Sequence, residues 1–405
     1  MNVIIFEDFN TDNLKPFSIN HVSFELKCGI YSNLERIINS FDGNVNYYFI
    51  VRDELKELVQ EKFPRYMINP KNIPEGLYLN GAAVWNHKYI DKVSKGYAFS
   101  SLGNLIAFKS NDSIDFKNIN SLIEKTSSVT SDIDINYISY LWDCIDLFDK
   151  YLLIDCEDFL KCGNTPEAFL NYKEHNLDSS IIIMENSCSI YVSKKSTIES
   201  GCILDSRNGS IIINDNVKVE SGSIIKGPIF IDKESIVING AKLKGNILIG
   251  PKCKIGGEVI NTIFHGYSNK QHDGFLGNSY VGEWVNFGAN TNNSNLKNNY
   301  SRIKFNFSDK IVDTNRMFLG AMVGDFTRTG ISTMINTGSY IGLGSNVFGG
   351  SFQKKHISSF SWGRDVIVEF NKFIDTVKIM KERRSEKLTD TEIAFLKNIY
   401  KKVKK

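Results

Sequence analysis

From Ile213 onward every sixth residue is aliphatic: Ile213, Val219, Ile225, Ile231, Val237, Leu243, Ile249 and Ile255. An amphipathic helix repeats near 3.6 residues and a strand at 2, so a period of six excludes both and requires a coiled β-solenoid. The fourth residue after each is small or β-branched, as Val217, Ser223, Ile229, Ser235, Ala241, Ile247, Cys253 and Val259. Each hexad then forms one flat side of a triangular coil. About three hexads close a turn and stack roughly 4.8 Å above the last through strand-type hydrogen bonds, with the aliphatic residue pointing inward. A second run, Val323, Thr329, Ile335, Ile341 and Val347, has Gly324, Gly330 and Gly342 just after three of its members, so the coil resumes. The hexads lapse between Asn261 and Val281 and around Ser294–Arg316, where loops are expected to leave the prism.

The chain is longer than one core usually holds, at 405 residues, so at least two domains are expected. Residues 1–177 alternate strands, such as Val3–Phe6, Tyr47–Val51 and Leu77–Leu79, with helical stretches such as Asp53–Lys62, which is α/β grammar. Residues 178–364 carry the solenoid. Residues 365–405 read as a helical tail, with Thr389 and Glu392 as a capping box opening its last helix. A net charge of +2 is too small to argue for nucleic acid. The segment Met1–Asn10 has an early acidic pair and no long apolar core, which argues against a signal peptide, and no stretch approaches a membrane span. Seven scattered cysteines without a CxxC pair fit buried apolar side chains in a reducing, cytoplasmic compartment rather than disulfides or a metal site.

The first interruption contains Gly266-Tyr-Ser-Asn-Lys-Gln-His272-Asp-Gly-Phe-Leu-Gly277. With Asn286 and Asn295 downstream, this spacing resembles the bifunctional N-acetylglucosamine-1-phosphate uridyltransferase/glucosamine-1-phosphate acetyltransferase family. A related group of sugar nucleotidyltransferase-like proteins is similar along further segments: Gly256-Gly-Glu-Val259, Gly282-Glu-Trp284, Asn290 to Tyr300 and Ser358 to Gly363. The resemblance implies a left-handed parallel β-helix, an acyltransferase site between subunits of a homotrimer, and acetyl-CoA or another acyl-CoA as donor. It also implies His272 as general base, with Asn286 and Asn295 beside it. An imidazole with an ordinary pKa near 6.5 can take the proton from an attacking amine at neutral pH, and amides can hold the oxyanion. Lys270, Phe275, Asn290, Lys297 and Arg302 are the candidate substrate contacts, the cations for phosphates of a nucleotide sugar or coenzyme A. Each has a plainer reading: His272-Asp-Gly also suits a surface turn, the asparagine tract can stitch a corner, and the cations can be solvated. Phe275 stands where that family has tyrosine, which argues against glucosamine 1-phosphate as acceptor.

In the first domain, Leu14 to Ile30, Leu79-Asn-Gly81 and Leu141-Trp-Asp143 resemble motifs of the same family and imply a nucleotidyltransferase fold. No glycine-rich loop follows the first strand, and His21-Val22, Glu25, Lys27 and Ala82 depart from the family pattern. The domain therefore reads as degenerate, with Lys27, Asn80 and Asp143 as nucleotide contacts, Glu7 and Asp8 beside them, and Mg2+ involved only if it is active. Three functions remain in play at this level. They are acyl transfer to an amino sugar or nucleotide-linked sugar, sugar-1-phosphate nucleotidyl transfer, and non-catalytic binding of a nucleotide sugar.

Overall fold

The computed structural model describes residues 1–404 apart from 94–98, 102–103, 127–134, 162–168, 175–176, 187–188 and 365. The chain divides into two compact units. One comprises residues 1–27, 31–141 and 389–398, and the other residues 28–30, 142–388 and 399–405. The helix Asp143–Lys161 groups with the second.

The first unit is built on a six-stranded sheet in the order Met67–Ile68, Asn46–Ile50, Asn2–Phe6, Gly76–Asn80, Asn104–Ser110 and Phe99–Ser101. The first four strands run parallel and the last two join antiparallel. The central strand explains its own place: Val3, Ile4, Ile5 and Phe6 are all fully buried, as a parallel strand covered on both faces must be. The stretch Asp53–Lys62 is a 3-10 turn, Asp53–Leu55, leading into the helix Lys56–Lys62. Helix Asn33–Asn39 starts on a capping box, in which Ser32 Oγ accepts from Glu35 N–H while the Glu35 carboxylate accepts from Ser32 N–H. Such a cap contributes about 1 kcal/mol.

The second unit is the expected prism, a run of parallel strands in the left-handed β-helix architecture. Its sides stack in register: Ile213, Ile231 and Ile249 form one inward column, Val219, Val237 and Ile255 a second, and Ile225 and Leu243 a third. All eight aliphatic residues of the first run are fully buried, and Val323, Ile335, Ile341 and Val347 of the second nearly so. Removing such a side chain from water contributes roughly 1.5–3 kcal/mol, so the columns dominate the stability of this unit. The small fourth-position residues sit at corners, where Ser235 Oγ donates to Gly250 O and accepts from Cys253 N–H, and Ser268 Oγ donates to Gly266 O and Gly282 O. These hydroxyls satisfy backbone groups that the bend leaves without ladder partners.

Of the two expected loops, one exists. After Asn293 the chain leaves the prism, forms an antiparallel hairpin of Lys304–Asn306 with Ile311–Asp313, and returns so that Val281 pairs with Val323. Between Asn261 and Val281 no loop leaves. The turn is merely shorter, because strand Glu258–Gly266 runs on around a corner and pairs with two successive sides. Phe264 therefore stacks on Ile249, and Lys270 on Ile255, 15 positions on instead of 18. The period is lost in the sequence while the stacking continues.

One corner carries Lys252, Tyr267, Trp284 and Phe326 in the left-handed backbone region, at φ 54°, 61° and 59° for the three aromatics. Tyr267 and Trp284 stack at 4.3 Å and Trp284 and Phe326 at 6.4 Å. The tail helix Phe370–Glu382 lies over this corner through Phe373, which meets Phe326 and Phe360 edge-on. The last helix is Asp390–Lys404, with Glu392 N–H donating to Thr389 Oγ1 as the capping pattern requires. The described free cysteines, Cys28, Cys144, Cys156, Cys202 and Cys253, are buried, and Cys162 and Cys188 lie outside the described residues. Among the described residues no helix is long and apolar enough to cross a membrane.

Candidate functional site

The site begins with a lysine inside the prism. Lys270 takes the place of an aliphatic in the Val219–Val237–Ile255 column, and it is 2% exposed. Its Nζ donates to Gly256 O at 3.1 Å and to His272 O at 3.0 Å. Gly257, at φ 67°, leaves the room, since a Cβ there would lie 2.6 Å from Nζ. Burial pushes the Lys270 ammonium down to about 8, with Asp273 and Glu258 opposing that shift. Far from meeting a substrate phosphate, this cation is spent on two carbonyls and fixes the backbone that carries His272.

His272 is exposed on the corner that follows, and among the described residues its ring has no hydrogen-bond or ionic partner. Gly274, at φ 123°, lets the chain pass Thr291, whose carbonyl oxygen would lie 2.1 Å from any Cβ. The next strand is then clamped by amides. Asn292 Oδ1 accepts from Phe275 N–H at 2.8 Å, and Asn293, itself inward-facing, accepts from Gly277 N–H at 2.8 Å and donates to Gly277 O at 2.9 Å. Phe275 and Asn295 converge over Gly277, where an added Cβ would lie 2.6 Å from Phe275 Cζ and 2.9 Å from Asn295 Nδ2. The Leu-Gly pair after the histidine thus has a local reason: Leu276 fills the core and Gly277 makes space for the ring and the amide.

Two clefts flank the corner. Gln271, on one side of His272 in the chain, lines one cleft with Asn286; Asp273, on the other side, lines a second of about 340 Å³ with Phe275, Asn290, Lys242 and Glu258. The candidates gathered by spacing therefore fall around one corner but on two faces of it. Asn290, at φ 57°, donates to Ser332 Oγ, and Asn295 donates to Asn278 Oδ1, so both amides also serve as stitching. Lys297 donates to Ser301 Oγ and Arg302 O within the departing loop, and neither Lys297 nor Arg302 lines either cleft. Lys242, Gln271 and Arg328 were missed. Their only signal is a position just before or after an inward residue, which places a side chain on the outer face of the coil.

In the first unit the polar groups at the end of strand Asn2–Phe6 are committed within the fold. The Glu7 carboxylate accepts from Ser23 N–H and from the Arg52 guanidinium. Asn80 is fully buried and donates to Asp8 and Leu105 O while accepting from Ala82 N–H. Asp8 also accepts from Asn10 N–H and Tyr137 Oη. Glu25, held well below the usual carboxylate range by Lys62 and His21 against the opposing effect of its burial, is paired with Lys62. Lys27 forms a backbone bridge with Ser32. In the other unit, Asp143 is ion-paired with Arg316 at 2.8 Å. These carboxylates do not fit a magnesium site as they stand, because each already has a cation or several N–H and O–H donors against it.

Residues 3–161 match a family model described as sugar nucleotidyl transferase. Among curated proteins, a bifunctional sugar-1-phosphate nucleotidylyltransferase/acetyltransferase of Sulfurisphaera tokodaii is 32% identical over 151 residues, 37% of this chain and 38% of that protein. The bifunctional protein GlmU of Wigglesworthia glossinidia brevipalpis is 32% identical over 158 residues, 34% of this chain and 32% of that protein. That of Methanocaldococcus jannaschii is 34% identical over 94 residues, 23% of this chain and 22% of that protein. The chain thus spans well under half the length of the curated relatives it matches. With a nucleotidyl transferase segment leading into a hexapeptide prism, the chain is similar in part to bifunctional sugar-1-phosphate nucleotidylyltransferase/acetyltransferase proteins, including those named GlmU.

Proposed function

We propose that the protein is an acyltransferase that moves an acetyl or other acyl group from coenzyme A to an amino sugar or a nucleotide-linked sugar at the His272 corner. The observation that carries this reading is the corner itself: an exposed imidazole, without a partner among the described residues, on a backbone held by a buried ammonium, between two clefts lined by amides. The name of the S. tokodaii relative includes acetyl transfer, which supports the same chemistry. In the reaction the acceptor nitrogen or oxygen attacks the thioester carbonyl as His272 takes its proton. The oxyanion meets the amide of Asn286, which lines the cleft beside Gln271, while Asn295 braces the Phe275 face. The carbon–sulfur bond then breaks, and the imidazolium returns the proton to the thiolate. Phe275 packs against the acceptor without a hydroxyl to offer, and Asn290 reads its polar edge.

Residues 178–364 form the acyltransferase domain in this reading, residues 1–177 the nucleotidyltransferase-like domain, and the protein works as a cytoplasmic homotrimer whose clefts are completed by neighbouring copies. A second reading is favoured by the family match over residues 3–161: nucleotidyl transfer to a sugar phosphate, with Lys27 and Asn80 as nucleotide contacts. The internal commitments of Glu7, Asp8 and Asn80 count against it, and no step through Mg2+ is assigned. The separating experiment offers acetyl-CoA with a panel of amino sugars, and in parallel a nucleoside triphosphate with sugar 1-phosphates and Mg2+. Acceptor-dependent release of coenzyme A without pyrophosphate release is expected. Pyrophosphate release alone would transfer the activity to the first unit, and tight nucleotide-sugar binding without either would make the protein a binder.

A further inference from the structure

Among the described residues, four cations line the Asn286 cleft of about 260 Å³, namely Lys254, Arg328, Arg383 and Arg384, and no carboxylate does. Two come from the coil. Lys254, Asn269, Asn286 and Arg328 stand in register on successive turns, each just before an inward residue, so they form a vertical outward row. The other two come from the end of helix Phe370–Glu382, where Ser385, at φ 58°, turns the chain. That turn is pinned by Lys252, whose Nζ donates to Arg384 O at 3.2 Å and pairs with Glu386 at 2.8 Å.

The arginines are under-used. Nε of Arg328 and Nε of Arg384 are buried without a hydrogen-bond partner, and the one side-chain bond of Arg384 goes to a neutral amide, Asn269 Oδ1, at 2.7 Å. Burial pushes both guanidinium groups down from their ordinary values. A helix C-terminus favours Arg383 and Arg384, which accounts for those two as structural charges, but it does nothing for Arg328 or Lys254 on the coil. Guanidinium groups with free N–H edges converging on one concavity match the oxygens of a phosphate, bidentately where the planes allow. The cleft is smaller than a site that encloses a whole drug-sized ligand, so it takes one end of a longer molecule.

We propose that this cleft binds the phosphate or diphosphate end of a phosphorylated substrate, with Arg328 and Arg384 as the principal contacts and Lys254 as a supporting charge. Gln271 lines the cleft and directly precedes His272, so the remainder of such a substrate leads to the corner assigned above. That last link rests on the acyl-transfer reading, whereas phosphate binding itself does not.

Trp284, in the cleft wall, gives an optical signal for titration with inorganic pyrophosphate, checked by calorimetry and by the loss of the signal in Trp284→Phe. Saturable binding is expected, weakened about tenfold by Arg328→Met and by Arg384→Met, the scale of one charged hydrogen bond. Both variants remain folded with a melting temperature no lower than the parent, because each removes a half-buried cation without a counter-ion. Coenzyme A, dephospho-coenzyme A and a uridine diphosphate sugar then compete with bound pyrophosphate. Displacement by coenzyme A assigns the site to the donor, and displacement by the sugar nucleotide assigns it to the acceptor. Absence of saturable pyrophosphate binding, equal affinity in folded Arg328→Met, or binding that no competitor displaces would overturn the proposal. The thioester assay is independent of all three results, so the two readings fail separately.

Discussion

A protonated amine inside an apolar column costs stability, and Lys270 makes that cost measurable. Its folded-state value is about 8, against an ordinary lysine near 10.4. Below pH 8 the ammonium is charged in both states and the penalty is fully in place. Between about 8 and 10.4 the unfolded chain holds more protons, so this residue makes stability rise with pH. Denaturant melts of the parent and of Lys270→Met from pH 7 to 10 should show the increment in the parent only. A parallel course for both proteins would mean that the lysine is not confined in the column. The same exchange leaves Gly256 O and His272 O without their donor, so Lys270→Met should also lower acyl-transfer turnover while His272 remains present.

Among the elements, the prism is the one whose stability is concentrated in a few side chains. Ile249 is fully buried between Ile231 and Phe264, so Ile249→Ala should cost about 2–5 kcal/mol in urea unfolding. Ile331, which is 80% exposed, should change stability by less than about 0.5 kcal/mol when replaced by alanine. Equal effects would contradict the inward assignment of the columns. These columns were legible because each inward position repeats at six and tolerates only apolar residues over long stretches. The shortened turn was not legible, since dropping three corner residues erases the period while Phe264 and Lys270 keep their stacking places. The role of Lys270 was hidden for the same reason: a lysine out of phase reads as a surface charge. Asn293 is the parallel case, an amide in an inward position that completes the hydrogen bonds of Gly277. The basic cleft was invisible as well, because Arg328 and Arg384 are 56 positions apart and meet only once the tail helix folds back.

At the scale of the whole molecule, the first unit keeps a nucleotidyl-transferase-like parallel sheet whose strand-end polar groups are bound to one another, and the second presents an open corner. That contrast is the support for the proposed placement of the chemistry in the prism, with the departures at Glu25, Lys27 and Ala82 as its early sign in the sequence. If neighbouring copies complete the clefts, light scattering should give a mass three times the 45.9 kDa of the chain. A monomer retaining acyl transfer would remove that part of the account. The most direct measurement is acceptor-dependent release of coenzyme A from acetyl-CoA by the parent protein and by folded His272→Ala. The account predicts release with at least one amino-sugar or nucleotide-sugar acceptor in the parent and a loss of about a hundredfold or more in the variant, the scale of general-base catalysis. Undiminished release by His272→Ala would contradict it.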